Sequence, residues 1–389
     1  LSRLEIHARQ LQKEIHDLAV PYHLAQALGE INRMEWFLAN VSELPASINF
    51  AWITGWTSDV EGQKLRDAIE LNSSHAILHF PDSPEGIQPP MMMRNPWWAK
   101  PFELFARMLG TPGSNEADPS RILAVMAPLL FGYMFGDVGQ GLVLLIAGLI
   151  LQKRWPLLRI LVVNGASAML FGFLFGSMFG REDLIPALWV HPIDDPLPVL
   201  AVPLVAGIVI ILTGMTLNAL ESSWRGEWLR WLHVDAPVVG LYLGVISSFF
   251  LEGTISVVII ASALTWYLIG NMLLAGGKLM PVLTSLASLI EVMMQLVLNT
   301  VSFVRVGAFA LAHAGLSLAF NIMADSAASA LLAMLILLLG NIIVIVLEGL
   351  VVSIQTTRLI LFEFFIRFLK ADGRVFKPLS SPITRTISL

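Results

Sequence analysis

The sequence predicts an α-helical membrane protein. About eight transmembrane helices are expected, the last two long and tilted, preceded by a partial α+β and coiled-coil cytoplasmic domain. Three observations lead there. Hydrophobic residues make up 56% of the 389 residues, and mean hydropathy is +0.72. Charged residues are only 14%, against about 25% in a soluble domain. From residue 120 onward, apolar runs of bilayer-spanning length dominate.

Composition also sets exclusions. A net charge of -5 argues against a nucleic-acid partner. Without cysteine there are no disulfides or thiolate metal sites, and the redox compartment stays open. His7, His16, His23, His75 and His79 lack metal-ligand spacing, so no metal is expected, and no cofactor. There is no GxxxxGK[ST] and no Gly-rich turn between a strand and a helix, so the chain should not hydrolyse ATP by itself. The opening "LSRLEIHARQLQKEIHDL" lacks the apolar core of a signal peptide, and Leu1 stands where Met would. The start is therefore expected to be a cut or missing end.

Residues 1–118 read as a partial cytoplasmic domain, a helical arm plus a small α+β lobe. Leu4, Leu11, Ile15 and Leu18 are spaced as in one arm of a helical hairpin or coiled coil. "AWITGW" and "HAILHF" are strand-like, with a helix between them that Ser58 or Asp59 starts. A Pro-rich linker follows, and "GTPGSNEADPSR" marks the boundary to a membrane domain over 119–389. Spans are expected near 119–135, 138–152, 157–180, 197–219, 236–251, 254–275, 284–320 and 328–369. The last two exceed the roughly 20 residues a bilayer needs, so they tilt or project. Gly132 and Gly136, then Gly172, Gly176 and Gly180, recur four apart, as small residues do where helices pack closely.

Loop charge orients these spans. With the N-terminal domain cytoplasmic, one set of loops and the C-terminus carry Lys153, Arg154, Arg159, Arg225, Arg230, Lys278, Lys370, Arg374, Lys377 and Arg385. The opposite loops carry Arg181 and otherwise acids: Glu182, Asp183, Asp194, Asp195, Glu252 and Asp325. An even number of spans follows, with both termini in the cytoplasm.

Polar residues inside the spans are the candidate site. An arginine at a bilayer centre costs roughly 2.5–3.5 kcal/mol, yet Arg305 sits mid-span. At about 100° per residue, Gln295, Ser302, Arg305 and His313 all fall within about 40° of Glu291. A stripe spanning the bilayer reads as the lining of an aqueous or proton-conducting path. In the last span Asn341, Glu348 and Gln355 are heptad-spaced, and Arg358 lies about 80° to the side of Glu348. The alternative is an internal Glu348–Arg358 or Glu348–Arg305 ion pair that only joins two helices. Asp137 is a candidate site acid and also a candidate helix cap. Glu363 and Arg367 read as an ordinary i,i+4 pair.

Several stretches resemble one family, the membrane-embedded stator subunit of V-type and A-type rotary ATPases (subunit a in eukaryotes, subunit I in prokaryotes). They are "NPWWAKPFELFARMLGTPGSNEADPS", "FGYMFGDVGQG", "NTVSFVRVGAFALAHAGLS" and "LEGLVVSIQTTRLILFEFFIRFLKADGRVFKPL", in the family's order over roughly residues 50–380. The chain departs from the family at Gly307, where relatives often carry a larger residue, and at Gln355 and Ile360, often His.

The resemblance implies a mechanism. A ring of proteolipid subunits turns against this subunit, each bringing a mid-membrane carboxylate between two offset half-channels. Arg305 and Arg358 would face the ring, keep the passing carboxylate ionised and block a short circuit. Glu291, His313, Glu348 and Asp137 match proton-transfer positions; Gln295 and Gln355, with Ser302 on the same stripe, match channel lining. Implied partners are the proteolipid c-ring (K/c-type subunits), peripheral-stalk E/G-type subunits, a central-stalk-linked d/C-type subunit and membrane lipid. The expected location is the prokaryotic plasma membrane, or a vacuolar-type endomembrane in a eukaryote. Proton against sodium, and synthesis against hydrolysis, stay open. The competing reading is a secondary ion-coupled transporter with a charged midplane site, which should show paired broken helices in inverted repeats. A scaffold with purely structural ion pairs would need no polar stripes of membrane depth.

Overall fold

The structure is a computed structural model that describes residues 7, 11, 24–41, 53–59, 61–71, 76–81, 89–113, 116–250, 253–276, 278–369 and 373–377. The chain forms two compact units, Leu1–Met92 with Val375–Leu389, and Met93–Arg374.

The smaller unit contains α1 (Leu24–Val41) and α2 (Gln63–Leu71). α2 begins four residues after Asp59, whose Oδ2 accepts from the Lys64 N–H in its first turn at 2.7 Å. The expected strands are not seen among the described residues. Residues 53–57 and 76–80 are irregular, Ile77 is 94% exposed, and the described residues contain no strand. A strand needs an edge to pair with, and neither segment finds one. Met91 and Val375 form only an isolated bridge. The heptad arm at the start lies outside the described residues apart from Leu11, which is exposed.

The larger unit is helical. A short lead-in, α3 (Glu103–Leu109), is followed by α4 (Ser120–Met134), α5 (Val138–Leu151), α6 (Arg159–Phe175), α7 (Pro196–Trp224), α8 (Trp228–Ser247) and α9 (Gly253–Leu274). Two long, interrupted rods close it: α10 (Leu279–Ser302) with α11 (Val304–Asp325), and α12 (Ala330–Ile343) with α13 (Gly349–Leu359). Six helical stretches among the described residues are long and apolar enough to cross a membrane, including Val282–Asp325 at 44 residues and Ala330–Arg367 at 38. The apolar α4 and α5 are shorter. Leucine, isoleucine and valine cover the outer faces of the long rods, as at Ile322, Leu347 and Ile354, each more than half exposed. A protein solvated by lipid has no reason to bury them.

Neither rod is one continuous α-helix. At Phe303 the first tightens to i→i+3 bonds: the Phe303 N–H reaches Thr300 O at 3.2 Å, and the Val306 N–H reaches Phe303 O at 3.0 Å. The second loosens into π-turns at Val344–Glu348 and Ile360–Phe364. Both irregularities concentrate where such segments often mark functional positions.

Glycines set how closely the helices approach. α5 and α6 pack along Gly141 and Gly165; a Cβ on Gly165 would meet the Leu145 N at 2.6 Å. Gly132 and Gly136 face Ser167 and Phe175, and Gly172 faces the Asp137–Val138 backbone, so these three serve packing as expected. Gly176 and Gly180 also abut neighbours, Ala187 and Ser317, and have a second, conformational role. The helix ends at Phe175, and both have φ of 72°, Gly176 as its left-handed C-cap and Gly180 in the turn beyond. Gly307 has a role as well: its missing Cβ leaves room for the Val199 carbonyl of α7. Gly165→Leu is expected to force α5 and α6 apart and cost about 1–3 kcal/mol. The loss should appear as a lowered Tm of the detergent-purified protein; an unchanged Tm would show that the hairpin does not depend on this contact.

Candidate functional site

Where the rods cross, the polar stripe resolves into separate clusters. Arg305, on the first turn of α11, is half-buried. Its Nη2 donates to Ser302 Oγ at 3.0 Å, across the tightened turn, and its Nη1 donates to Gln355 Oε1 on α13 at 3.2 Å. Ser302 Oγ in turn donates to Glu363 Oε1 at 2.8 Å. Gln355, Arg305, Ser302 and Glu363 are therefore linked in one chain of hydrogen bonds. Arg305 forms no ion pair among the described residues. Its two hydrogen-bond partners are neutral.

Glu363 was missed as a site residue, and the expected Glu363–Arg367 pair does not form. The reason is backbone geometry: 360–364 is a π-turn and 365–367 a 3₁₀ turn, so i and i+4 do not face each other. Glu363 is buried and turns to Ser302, while Arg367 turns to Asn299 on α10.

Arg358 is different again. It is exposed on an outer face otherwise made of residues such as Ile354 and Phe362, with no ion pair among the described residues. Neither internal pair expected for Glu348 is present, because Glu348 goes to His313. The His313 Nδ1 lies 2.9 Å from Glu348 Oε2, with both side chains largely buried. The Phe135 ring packs on the imidazole at 4.7 Å between centroids. The heptad trio of the second rod thus divides among three partners: Asn341 accepts from Gln140 of α5 at 3.0 Å, Glu348 takes His313, and Gln355 takes Arg305.

Asp137 caps α5 and does more. Its Oδ1 accepts from the Gln140 and Phe179 N–H groups at 2.9 Å each. Its Oδ2 accepts from Ser177 Oγ at 2.8 Å and the Gly180 N–H at 2.7 Å. The carboxylate is fully buried. It holds a turn in which Phe179 has φ of 52° and Gly180 of 72°, a conformation costly for a non-glycine residue. The signal for this turn was weak in the sequence, since its donors lie about forty residues away. Glu291 and Gln295 stand apart: both are exposed on α10, joined to each other at 3.4 Å and not to the Arg305 cluster. They lie on the same helix as Ser302, and among the described residues no hydrogen bond joins them to it. No cluster of metal-binding side chains occurs among the described residues.

Residues 8–157 match the V-type ATPase 116kDa subunit family. A-type ATP synthase subunit I of Pyrococcus horikoshii is 28% identical over 361 residues, covering 85% of this chain and 53% of the relative. The same subunit of Thermococcus kodakarensis is 25% identical over 362 residues, covering 85% and 54%. That of Methanocaldococcus jannaschii is 25% identical over 385 residues, covering 84% and 54%. The chain is similar to these subunits. It spans about half the length of the curated relatives it matches, and the matched stretch includes most of its apolar helices.

Removing the Asp137 carboxylate strands buried donors, each worth about 1–3 kcal/mol. Asp137→Ala is therefore expected to lower Tm strongly and Asp137→Asn less, since the amide oxygen still accepts. Equal and small losses by thermal unfolding would show the turn is held by something else.

Proposed function

We propose that the chain is the ion-translocating stator subunit of an A-type or V-type rotary ATPase. It forms two half-channels against a rotating proteolipid ring and couples proton or sodium flow to ATP synthesis or hydrolysis. The observation that carries this is the pair of unneutralised guanidiniums. Arg305 has only neutral partners, and Arg358 is exposed on an apolar face. An unpaired cation in a membrane costs several kcal/mol on most estimates. It is tolerated where an anion from outside the chain arrives, and a passing ring carboxylate is such an anion.

The residues then take roles. A cation near the carboxylate favours its ionised form, so the arginines release the ion from the ring and keep one half-channel from leaking into the other. Ser302 and Gln355 aim Arg305, and Glu363 fixes Ser302 from behind. The His313–Glu348 pair supplies groups that can exchange a proton beside the ring path, and Glu291 and Gln295 supply an exposed polar surface on the other flank. Asp137 acts through the turn it holds.

By the same reading, residues 1–118 belong to a cytoplasmic domain that meets peripheral-stalk E/G-type subunits and a central-stalk-linked d/C-type subunit. Residues 119–389 form the membrane domain, α4 and α5 included, with both termini cytoplasmic as the loop charges favour. The plasma membrane of a prokaryote fits relatives that are archaeal subunits.

Arg305→Gln in the assembled complex, reconstituted in vesicles, should abolish ATP-driven acidification, at least about tenfold, with ring assembly intact. Normal acidification would overturn the proposal.

A further inference from the structure

A cavity of about 930 Å³ opens between α4, α6 and α7, lined by none of the residues assigned to the ion path. It arises from how the helices pack. α4 and α7 each lie against α11, and Val306 of α11 forms the floor between them. Pro203 shapes the α7 wall. A proline inside a helix has no N–H, so the carbonyl four residues back loses its helical donor. That carbonyl belongs to Val199, and the Tyr133 hydroxyl donates to it at 2.9 Å. This bond ties α4 to α7 at one end of the gap.

The walls present hydrocarbon. Val125 and Leu129 of α4 and Val209 of α7 are exposed along them. The two wall hydroxyls are taken by backbone carbonyls: Tyr133 by Val199, and Thr213 by Val209 at 2.8 Å. One lining residue is charged. Arg121 stands exposed at the opposite end from Tyr133, with no ion pair among the described residues. The turns at 100–102 and 156–158 pack together beside the start of α4 and bring Lys100, Arg154 and Arg159 to that same end. From Arg121 to Tyr133 the helix rises about 18 Å, and half a bilayer's hydrocarbon is about 15 Å deep. The groove is therefore one leaflet deep, with its positive charge at the mouth. Its mean cross-section is about 50 Å². An α-helix with its side chains is about 10–12 Å across and needs about 80–110 Å². The groove is too narrow for a helix and suits thinner acyl chains.

We propose that this groove is a binding site for an anionic membrane phospholipid. The acyl chains lie between α4 and α7 over Val306, and the phosphate sits at the mouth against the Arg121 guanidinium. The chains complete the packing of α7, which carries Val199 and Gly207 against α11. This site goes beyond ion translocation and does not depend on it; it needs only that these helices lie in a membrane.

Photolabelling of the assembled complex tests it. The complex is placed in phosphatidylcholine vesicles that carry a small share of diazirine-tailed phosphatidylglycerol, or of phosphatidylcholine with the same tails. Labelled residues are mapped by peptide mass spectrometry, with the exposed Ile146 of α5 as the control for bulk lipid. Val125, Leu129 and Val209 should label about fivefold more with the phosphatidylglycerol probe than with the phosphatidylcholine probe, and Ile146 equally with both. Arg121→Gln should remove that preference. Ala206→Trp, which fills the groove, should remove the groove labels and spare Ile146. The comparison of the two probes on the unsubstituted complex stands even where a variant fails to assemble. Groove residues that stay unlabelled while Ile146 labels would overturn the proposal, since another subunit then covers the gap. Equal labelling of the groove by both probes would also overturn it. ATP-driven acidification by the same vesicles is scored separately: its absence counts against the proposed function and leaves the labelling result standing.

Discussion

The hydrogen-bond chain that holds the Arg305 guanidinium on neutral groups is the interaction on which the rest of the site depends. Arg305 is held by Ser302 and Gln355, both neutral. A carboxylate in contact would stabilise the cation more and cancel its field. The nearest bonded acid, Glu363, is held one hydrogen bond away, on Ser302 rather than on the arginine. That arrangement orients the side chain while leaving its charge unspent. The same separation recurs at Glu348, which bonds His313 and leaves Arg358 unpaired at the surface.

Holding these groups in register requires close helix approach and departures from regular helix. Gly307 brings α11 against the Val199 carbonyl, and Gly207 on α7 leaves space for the Phe303 ring. Phe303 is where the first rod tightens, placing Ser302 and Arg305 on the same side. The π-turns of the second rod bracket α13, which carries Gln355 and Arg358, and turn Glu363 inward. Asp137 secures the loop that closes over His313, through a strained turn at Phe179 and Gly180.

Much of this was legible in the amino-acid order. Hydropathy placed an apolar helix at each of the expected runs, and helical phase put Arg305 beside Ser302. Heptad spacing set Asn341, Glu348 and Gln355 on one contacting side. What failed did so for physical reasons. A fixed 3.6-residue period cannot foresee a turn that widens at 360–364, so Glu363 was paired with Arg367. Strand propensity at 51–56 and 75–80 was read without a pairing partner, and no strand forms among the described residues. The Asp137 cradle needs donors about forty residues distant.

The central claim is that Arg305 is an electrostatic barrier between two ion paths. Passive proton permeability of vesicles bearing the complete complex, with no nucleotide present, tests it most directly. An Arg305→Ala complex that assembles normally should leak protons at least about tenfold faster than the unsubstituted complex, because nothing then separates the paths. A leak equal to that of the unsubstituted complex would contradict the account and leave Arg305 a structural charge.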